Sequence, residues 1–297
     1  MSLTWGQLLQ FLLSGLMYGS LYAVIALGFN LIHNATRVVN FAQGEFVTLG
    51  ALCSLSLVMI GLPLPVALVG AVAIVTVTGW ATERMAIRPV RGASVITLII
   101  ITIGASVFLR GMVTWIWGSD ERPPLRPFWP GPSLALGPAM VQRQYIWILG
   151  IVLATMFLLW LLGEKTLLGK AMRACAFNQR AAQIVGIDVG RMVLLSWALS
   201  AGLGALAGVI IAPVVTPKWD MGVMLGLKGF AAAILGGMGI PAGAVLGGIT
   251  LGLAESLGVG LLPDWGSGYK DAIAFSIMLA VLFVKPTGLL GARSEAR

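Results

Sequence analysis

The chain has 297 residues, of which 58% are hydrophobic and only 10% charged, whereas a soluble globular domain carries roughly a quarter charged residues. That composition excludes a water-solvated globule of this length and calls for an apolar solvent. A formal net charge of +8 could point to nucleic acid, but no continuous Lys/Arg stripe occurs and the cations fall between apolar runs, so no nucleic-acid partner is expected.

Taken in chain order, nine apolar stretches read as spans: Leu8–Ile32, Phe41–Ile60, Leu62–Thr82, Ser94–Trp117, Tyr145–Gly163, Met192–Val215, Leu225–Met238, Ala242–Leu262 and Tyr269–Val284. About 20 apolar residues in helix cross the hydrocarbon core. Runs such as Ile96–Ile103 and Val152–Leu162 lack the in/out alternation of a membrane β-barrel. The expected fold is therefore all-α, a polytopic transmembrane bundle of about eight or nine spans. It is read as one membrane domain over 1–297, surrounded by lipid. The first stretch is too long for a signal-peptide core, and Met1–Gln10 has no Lys or Arg, so it is expected to be retained. Leu225–Met238 is short for a crossing and is either a broken span or re-entrant.

The connections set the orientation. Twelve cations, from Arg37, Arg84, Arg88 and Arg91 through Lys165–Arg191 to Lys285, Arg293 and Arg297, fall on one side. Four fall on the other: Arg122, Arg126, Arg143 and Lys218. The positive-inside rule then predicts an outside N-terminus and a cytoplasmic C-terminus, provided Leu225–Met238 crosses. Two connections stand out. The external segment 118–144 contains Pro123, Pro124, Pro127, Pro130, Pro132 and Pro138, so it is extended or looped, either a plain loop or a partner surface. The cytoplasmic segment 164–191 is different in character. Leu167, Leu168, Met172 and Cys175 make an apolar face, with Lys170, Arg173 and Arg180 elsewhere. Asn178 is placed to cap a short helix over Gln179–Val185, Gly186 to stop it in the left-handed conformation, and Asp188 to cap the start of the next membrane helix. Such a short helix either docks a partner or rests on anionic lipid.

Several segments resemble the branched-chain amino-acid permeases of ABC importers, the LivH/LivM family, and the LivH-type subunit most of all. They are Tyr22–Asn30 (YAVIALGFN), Val39–Gly50 (VNFAQGEFVTLG), Gly169–Ala174 (GKAMRA), Ala232–Gly248 (AAILGGMGIPAGAVLGG) and Tyr269–Gly291 (YKDAIAFSIMLAVLFVKPTGLLG). Arg180–Asp188 looks like the coupling-loop motif of importer permeases, in which an acid and two alanines precede a glycine. This chain has Ala181, Ala182 and Gly186 in that pattern but Arg180 in place of the acid. The resemblance implies an ATP-driven importer of branched-chain or hydrophobic amino acids in the bacterial inner membrane. It also implies a second, LivM-like permease subunit, two cytoplasmic ATPases and a periplasmic or extracellular substrate-binding protein. The ATPase-coupling loop would then be built on Arg173, Asn178, Arg180, Ala181, Ala182, Gly186, Ile187 and Asp188. A urea or short-amide permease of the same family, and an ion-coupled secondary transporter, are the alternatives.

No enzyme is expected. The nearest approach to a phosphate-binding GxxxxGK[ST] loop, Gly163 to Ala171, has one residue too many and no hydroxyl. No cofactor is expected, and His33, the only histidine, makes no metal site. Neither Cys53 nor Cys175 sits in a metal-type spacing, and both read as free thiols. Charged groups inside spans mark functional hypotheses. Glu45 is read either as a carboxylate on a helix N-terminus or as a path residue, Arg110 as snorkelling outward, and Lys228 with Glu255 as a pair. The helix break Leu235–Pro241, with Gly236, Gly237 and Gly239, and the polar entry Asn40, Gln43, Gly44 and Glu45 are expected to flank the translocation path. Gly15/Gly19, Gly204/Gly208, Gly243/Gly247 and Gly248/Gly252 have the spacing of close helix packing.

Overall fold

The computed structural model describes residues 4–261 and 268–291. Leu262, Arg293 and Arg297, used above for a span end and the charge count, lie outside them, as does Met1. The described chain is helical apart from one hairpin. Its helices are α1 (Trp5–Thr36), α2 (Gln43–Met59), α3 (Leu64–Thr82), α4 (Val95–Trp117), α5 (Arg143–Lys165), α6 (Leu167–Phe177), α7 (Gln179–Ile184), α8 (Val189–Ile211), α9 (Met221–Gly236), α10 (Pro241–Leu261) and α11 (Lys270–Val284). A π-helical turn, Glu83–Ile87, and a short 3-10 turn, Arg88–Val90, extend α3. Strands β1 (Leu134–Leu136) and β2 (Ala139–Val141) pair antiparallel, with Leu134 opposite Val141.

Among the described residues six helices are long and apolar enough to cross a membrane: α1, α3 with its extension, α4, α5, α8 and α10. α2 and α9 are shorter apolar helices, and α11 has 15 residues. Several expected boundaries move by up to four residues: α1 runs Trp5–Thr36 where Leu8–Ile32 was expected, and α8 runs Val189–Ile211 where Met192–Val215 was expected. Phe41 and Ala42 form a turn, so α2 starts at Gln43, and α9 starts at Met221, four residues before the expected Leu225. Asn40 does not cap α2; its Oδ1 accepts from the Ala42 N–H at 3.0 Å, an Asx-turn that ends one residue before the helix.

The chain divides into two compact units, with boundaries inside α1, α5 and α9. The larger unit holds residues 28–125 and 153–226. Its centre is α2, buried continuously from Gln43 to Leu55 and packed by α3 and α8. Close approach is possible because small residues meet backbone. A Cβ on Gly208 would overlap the Val47 carbonyl oxygen, one on Gly50 the Ala205 carbonyl, and one on Gly79 the Ala201 methyl. Gly44 and Gly222 fill each other's space in the same way, and the Gly222 N–H donates to Thr48 Oγ1 at 2.9 Å. α3 and α4 instead display Val66, Val69, Val77, Ile100, Val107 and Phe108 outward. Long helices with that much exposed hydrocarbon have lipid as their solvent.

The smaller unit holds residues 1–27, 126–152 and 227–297. The expected glycine spacing is used between α1 and α10, where Gly15 meets the Gly252 backbone and Gly19 meets Gly248. Ser256 Oγ adds a bond to the Phe11 carbonyl at 2.7 Å. After α9 the chain breaks at Gly237, whose φ is +107°. The freed helix-end carbonyls of Leu235 and Gly236 accept from the Leu289 and Leu290 N–H groups at 2.8 and 3.1 Å. The backbone groups that lipid cannot satisfy are thus closed by the stretch after α11.

Candidate functional site

Three arrangements carry the polar groups singled out above, the first two in the larger unit and the third in the smaller. At the start of α2, Gln43 is fully buried. Its Nε2 donates to the Ser200 carbonyl at 3.0 Å, while the Ser200 hydroxyl lies 2.6 Å from Gln43 Oε1 and 2.8 Å from the Gly28 carbonyl. Two residues on, Glu45 is also buried, and its Oε1 accepts from Ser106 Oγ at 2.9 Å and from Arg110 Nε at 3.1 Å. Ser106 and Arg110 are one helical turn apart on α4, so they reach the carboxylate together. This corrects the snorkelling reading of Arg110: its side chain is 30% exposed but turns inward to Glu45, which is 2% exposed. Removing Arg110 as Arg110→Met should leave a buried carboxylate with one hydroxyl donor and cost about 1–3 kcal/mol. Thermal unfolding in detergent checks this, and Glu45→Gln in the same background should restore part of the loss.

The connection after α5 forms as the residue types dictate. Asn178 Oδ1 accepts from the Ala181 N–H at 3.0 Å, so α7 is capped as expected. Gly186 takes φ +86°, a left-handed value that suits glycine and ends the helix. Asp188 Oδ1 accepts from the Arg191 N–H at 3.1 Å, starting α8. α7 is shorter by one residue than the expected Gln179–Val185. The loop is tied to the end of α1 from both sides: Arg37 donates to the Ala176 carbonyl and Gln179 to the Ala35 carbonyl. Arg37 itself is held at φ +59°, unusual for a non-glycine residue. Arg91 pairs with buried Glu83 and donates to the Gly190 carbonyl at 3.2 Å, joining the π-helical turn to the start of α8. Arg173 pairs with Glu164 on the surface. Ala182 and Cys175 are buried against this frame, whereas Leu167, Phe177, Ile184 and Val185 stand at least 75% exposed. Cys175 and Cys53 are free and buried.

In the smaller unit Glu255 and Lys228 do pair, at 2.9 Å, and both are almost fully buried. The pair belongs to a larger cluster that sequence reasoning did not assemble. Lys270 Nζ lies 3.1 Å from Glu255 Oε1, Asp271 Oδ1 lies 2.6 Å from Lys228 Nζ, and the Tyr22 hydroxyl donates to Glu255 Oε2 at 3.0 Å. The Lys270 ammonium also sits 4.3 Å from the Tyr18 ring centroid. Gly236 faces the Gly243 carbonyl, and Gly237 the Gly291 backbone, so protein fills their Cβ space. Lys228, Gly236, Gly237, Gly239 and Glu255 thus fall in one unit, and Asn40, Gln43, Gly44 and Glu45 in the other.

Residues 11–282, nearly the whole chain, match the family of branched-chain amino acid transport system permease components. The chain belongs to that permease family. The high-affinity branched-chain amino acid transport system permease protein LivH of Escherichia coli is 34% identical over 95% of both chains. BraD of Pseudomonas aeruginosa, named for the same kind of system, is 34% identical with the same coverage. A probable LivH permease of Methanocaldococcus jannaschii is 30% identical over 93% of this chain and 90% of its own length. The family is one of transport permease components rather than of catalytic enzymes. The protein is a multi-pass permease of the cell inner membrane.

The permease residues that sequence reasoning missed are Tyr22, Ser106, Ser200, Gln179, Lys270 and Asp271. A signal existed for Ser106, which shares a helix face with Arg110 at i,i+4. Lys270 and Asp271 stand at a helix start, where only the acid is expected from the helix dipole.

Proposed function

We propose that this permease is the membrane-spanning subunit of an ATP-driven importer that moves branched-chain amino acids inward. The observation that carries this reading is the family likeness over nearly the whole chain, together with a loop whose apolar side chains have no cover of their own. Phe177, Ile184 and Val185 stand at least 75% exposed on a capped, clamped element, which suits a docking partner. In this reading, residues 164–191 face the cytoplasm and receive an ATPase subunit. Arg173, Asn178, Arg180, Ala181, Ala182, Gly186, Ile187 and Asp188 shape the contact. Two such ATPases, a second permease subunit and an external binding protein that meets segment 118–144 complete the machine. The six long helices together with α2, α9 and α11 would make nine crossings over a single domain, 1–297. That parity puts the N-terminus outside and the C-terminus in the cytoplasm.

Force applied to α7 would pass through Gln179 and Arg37 to the end of α1, and through Asp188 to α8, shifting the bundle between two access states. Polar groups around Asn40, Gln43 and Glu45, and the cluster on Lys228 and Glu255, would flank the path, with Gly44, Gly236, Gly237 and Gly239 allowing close backbone approach.

Co-purification with its ATPase and uptake of labelled leucine in proteoliposomes test the reading. An Arg180→Glu, Ile184→Gln variant, changing two exposed side chains of the loop, should keep its thermal midpoint yet lose ATPase association and most uptake. Normal assembly and transport by that variant would remove the docking role. Uptake that survives ATP depletion but collapses with an uncoupler would instead make the protein a secondary transporter, and uptake of urea in place of leucine would reassign the substrate.

A further inference from the structure

Behind α7, the larger unit encloses a cavity that none of the assignments above uses. Its wall is apolar on one side, with Val38, Ile87, Leu98, Val189 and Val193. It offers about 110 Å³ of free space, room for several waters or one short aliphatic chain. Two further lining residues, Trp197 and Arg91, carry buried N–H donors, the indole Nε1 and the guanidinium Nε, with no hydrogen-bond partner among the described residues. Trp197 is 1% exposed. A buried donor without an acceptor costs about 1–3 kcal/mol, so two among the lining residues call for an acceptor. The lining hydroxyls do not meet that need. Thr36 Oγ1 already accepts from the Val38 N–H at 3.3 Å, and Thr102 Oγ1 from the Phe41 N–H at 3.2 Å. Gln179 Nε2 donates to the Ala35 carbonyl, which holds that amide at the end of α1.

We infer that this cavity is a binding site for a small branched-aliphatic carboxylate, its tail against Val38, Leu98, Val189 and Val193 and its oxygens on Trp197 Nε1 and Arg91 Nε. A carboxylate suits the head position better than an ammonium because the two unpartnered lining groups are donors, and Arg91, whose Nη2 already pairs with Glu83, keeps its Nε–H unpartnered. The lining draws on the end of α1, the π-helical turn, α4, α7 and α8. An occupant therefore bridges the docking helix to the helices it would move. Resting on the docking reading of α7, occupancy holds that end in one arrangement and slows the transport cycle from the loop side.

The test uses the full-length protein in nanodiscs with radiolabelled isovalerate as probe. Saturable binding is expected, weakened about tenfold or more in Trp197→Phe, which removes one donor and widens the cavity rather than blocking it. It should also be lost in Val193→Leu, which fills the tail position from a different wall. Isoamylamine, with the same tail and the opposite charge, should not compete. L-Leucine competing would identify the transported solute as the natural occupant. L-Leucine failing to compete while isovalerate binds would point to a carboxylate without an ammonium. No saturable binding, meaning a site that holds water only, would overturn the inference. So would binding unchanged in both variants, or equal competition by isoamylamine. In the assembled transporter, isovalerate on the loop side should lower ATP-driven leucine uptake. Binding without that inhibition would remove the regulatory step and leave the site, while failure of the ATPase to associate at all would fall on the docking reading instead.

Discussion

Gly208→Val is expected to yield no stably folded permease, whereas Gly111→Ala is expected to behave as wild type. Both glycines lie within apolar helices, and composition alone would not separate them. Around Gly111 a Cβ meets nothing within 4 Å, so alanine adds only its better helix propensity. At Gly208 the Cβ would run into the Val47 carbonyl oxygen and crowd the Ala51 backbone nitrogen. Overpacking a core costs typically about 1–3 kcal/mol when side chains can rearrange. Here the obstacle is backbone, and α2, which would have to retreat, is buried from Gln43 to Leu55. The penalty should therefore reach or exceed the top of that range. Expression level and the monodisperse fraction in detergent measure it, with Gly50→Val as a second probe of the same seam. A monodisperse Gly208→Val protein with a wild-type midpoint would mean that α2 and α8 are not in backbone contact.

The second large effect concerns the smaller unit. Glu255→Leu should destabilise by about 3–5 kcal/mol, the usual consequence of removing one partner from a buried ionic group. The reason is specific to its neighbours: the Tyr22 hydroxyl, Lys228 and Lys270 all lose an acceptor at once. Lys228 is 6% exposed, so water cannot replace what it loses. Glu255→Gln keeps an oxygen for the donors and should cost less. Adding Lys228→Met to Glu255→Leu should return more than half of the loss. The charges that remain, Lys270 at 39% and Asp271 at 44% exposure, are within reach of water or headgroups. Thermal midpoints of the three variants form a double-mutant cycle. A double variant no more stable than Glu255→Leu would place the cost in packing rather than in the stranded ammonium.

What the sequence made legible was local. Asn178, Gly186 and Asp188 act on atoms within three residues of themselves, so residue type and spacing were sufficient to place α7 and the start of α8. The apolar runs declared the long helices for the same reason, and paired glycines one turn apart marked helices that pack closely without naming their partners. Contacts that depend on distant helices were not legible. Glu45 and Arg110 are 65 positions apart, and each alone has a bland reading. Only the approach of α4 to α2 makes them one group. Likewise Glu255 was visible with Lys228, but Tyr22 lies 233 positions before it, and nothing in its own surroundings marks it as a carboxylate's donor. The cavity behind α7 was hidden more deeply, because its defining feature is two donors that find no acceptor.

The closure of the helix break by the stretch after α11 bears on how the chain matures. Leu235 and Gly236 leave the ribosome more than fifty residues before Leu289 and Leu290, which bond their carbonyls. The smaller unit also gathers three separate stretches of sequence, the last being 227–297, whereas every residue of the larger unit precedes Leu227. Translation thus delivers a complete larger unit while the smaller one still has open carbonyls and an unpaired Lys228. Those carbonyls must be shielded in the meantime by lipid headgroups, water or the insertion machinery. A ribosome stalled before residue 285 would expose a protease-sensitive gap at Gly237, and release of the finished chain would seal it.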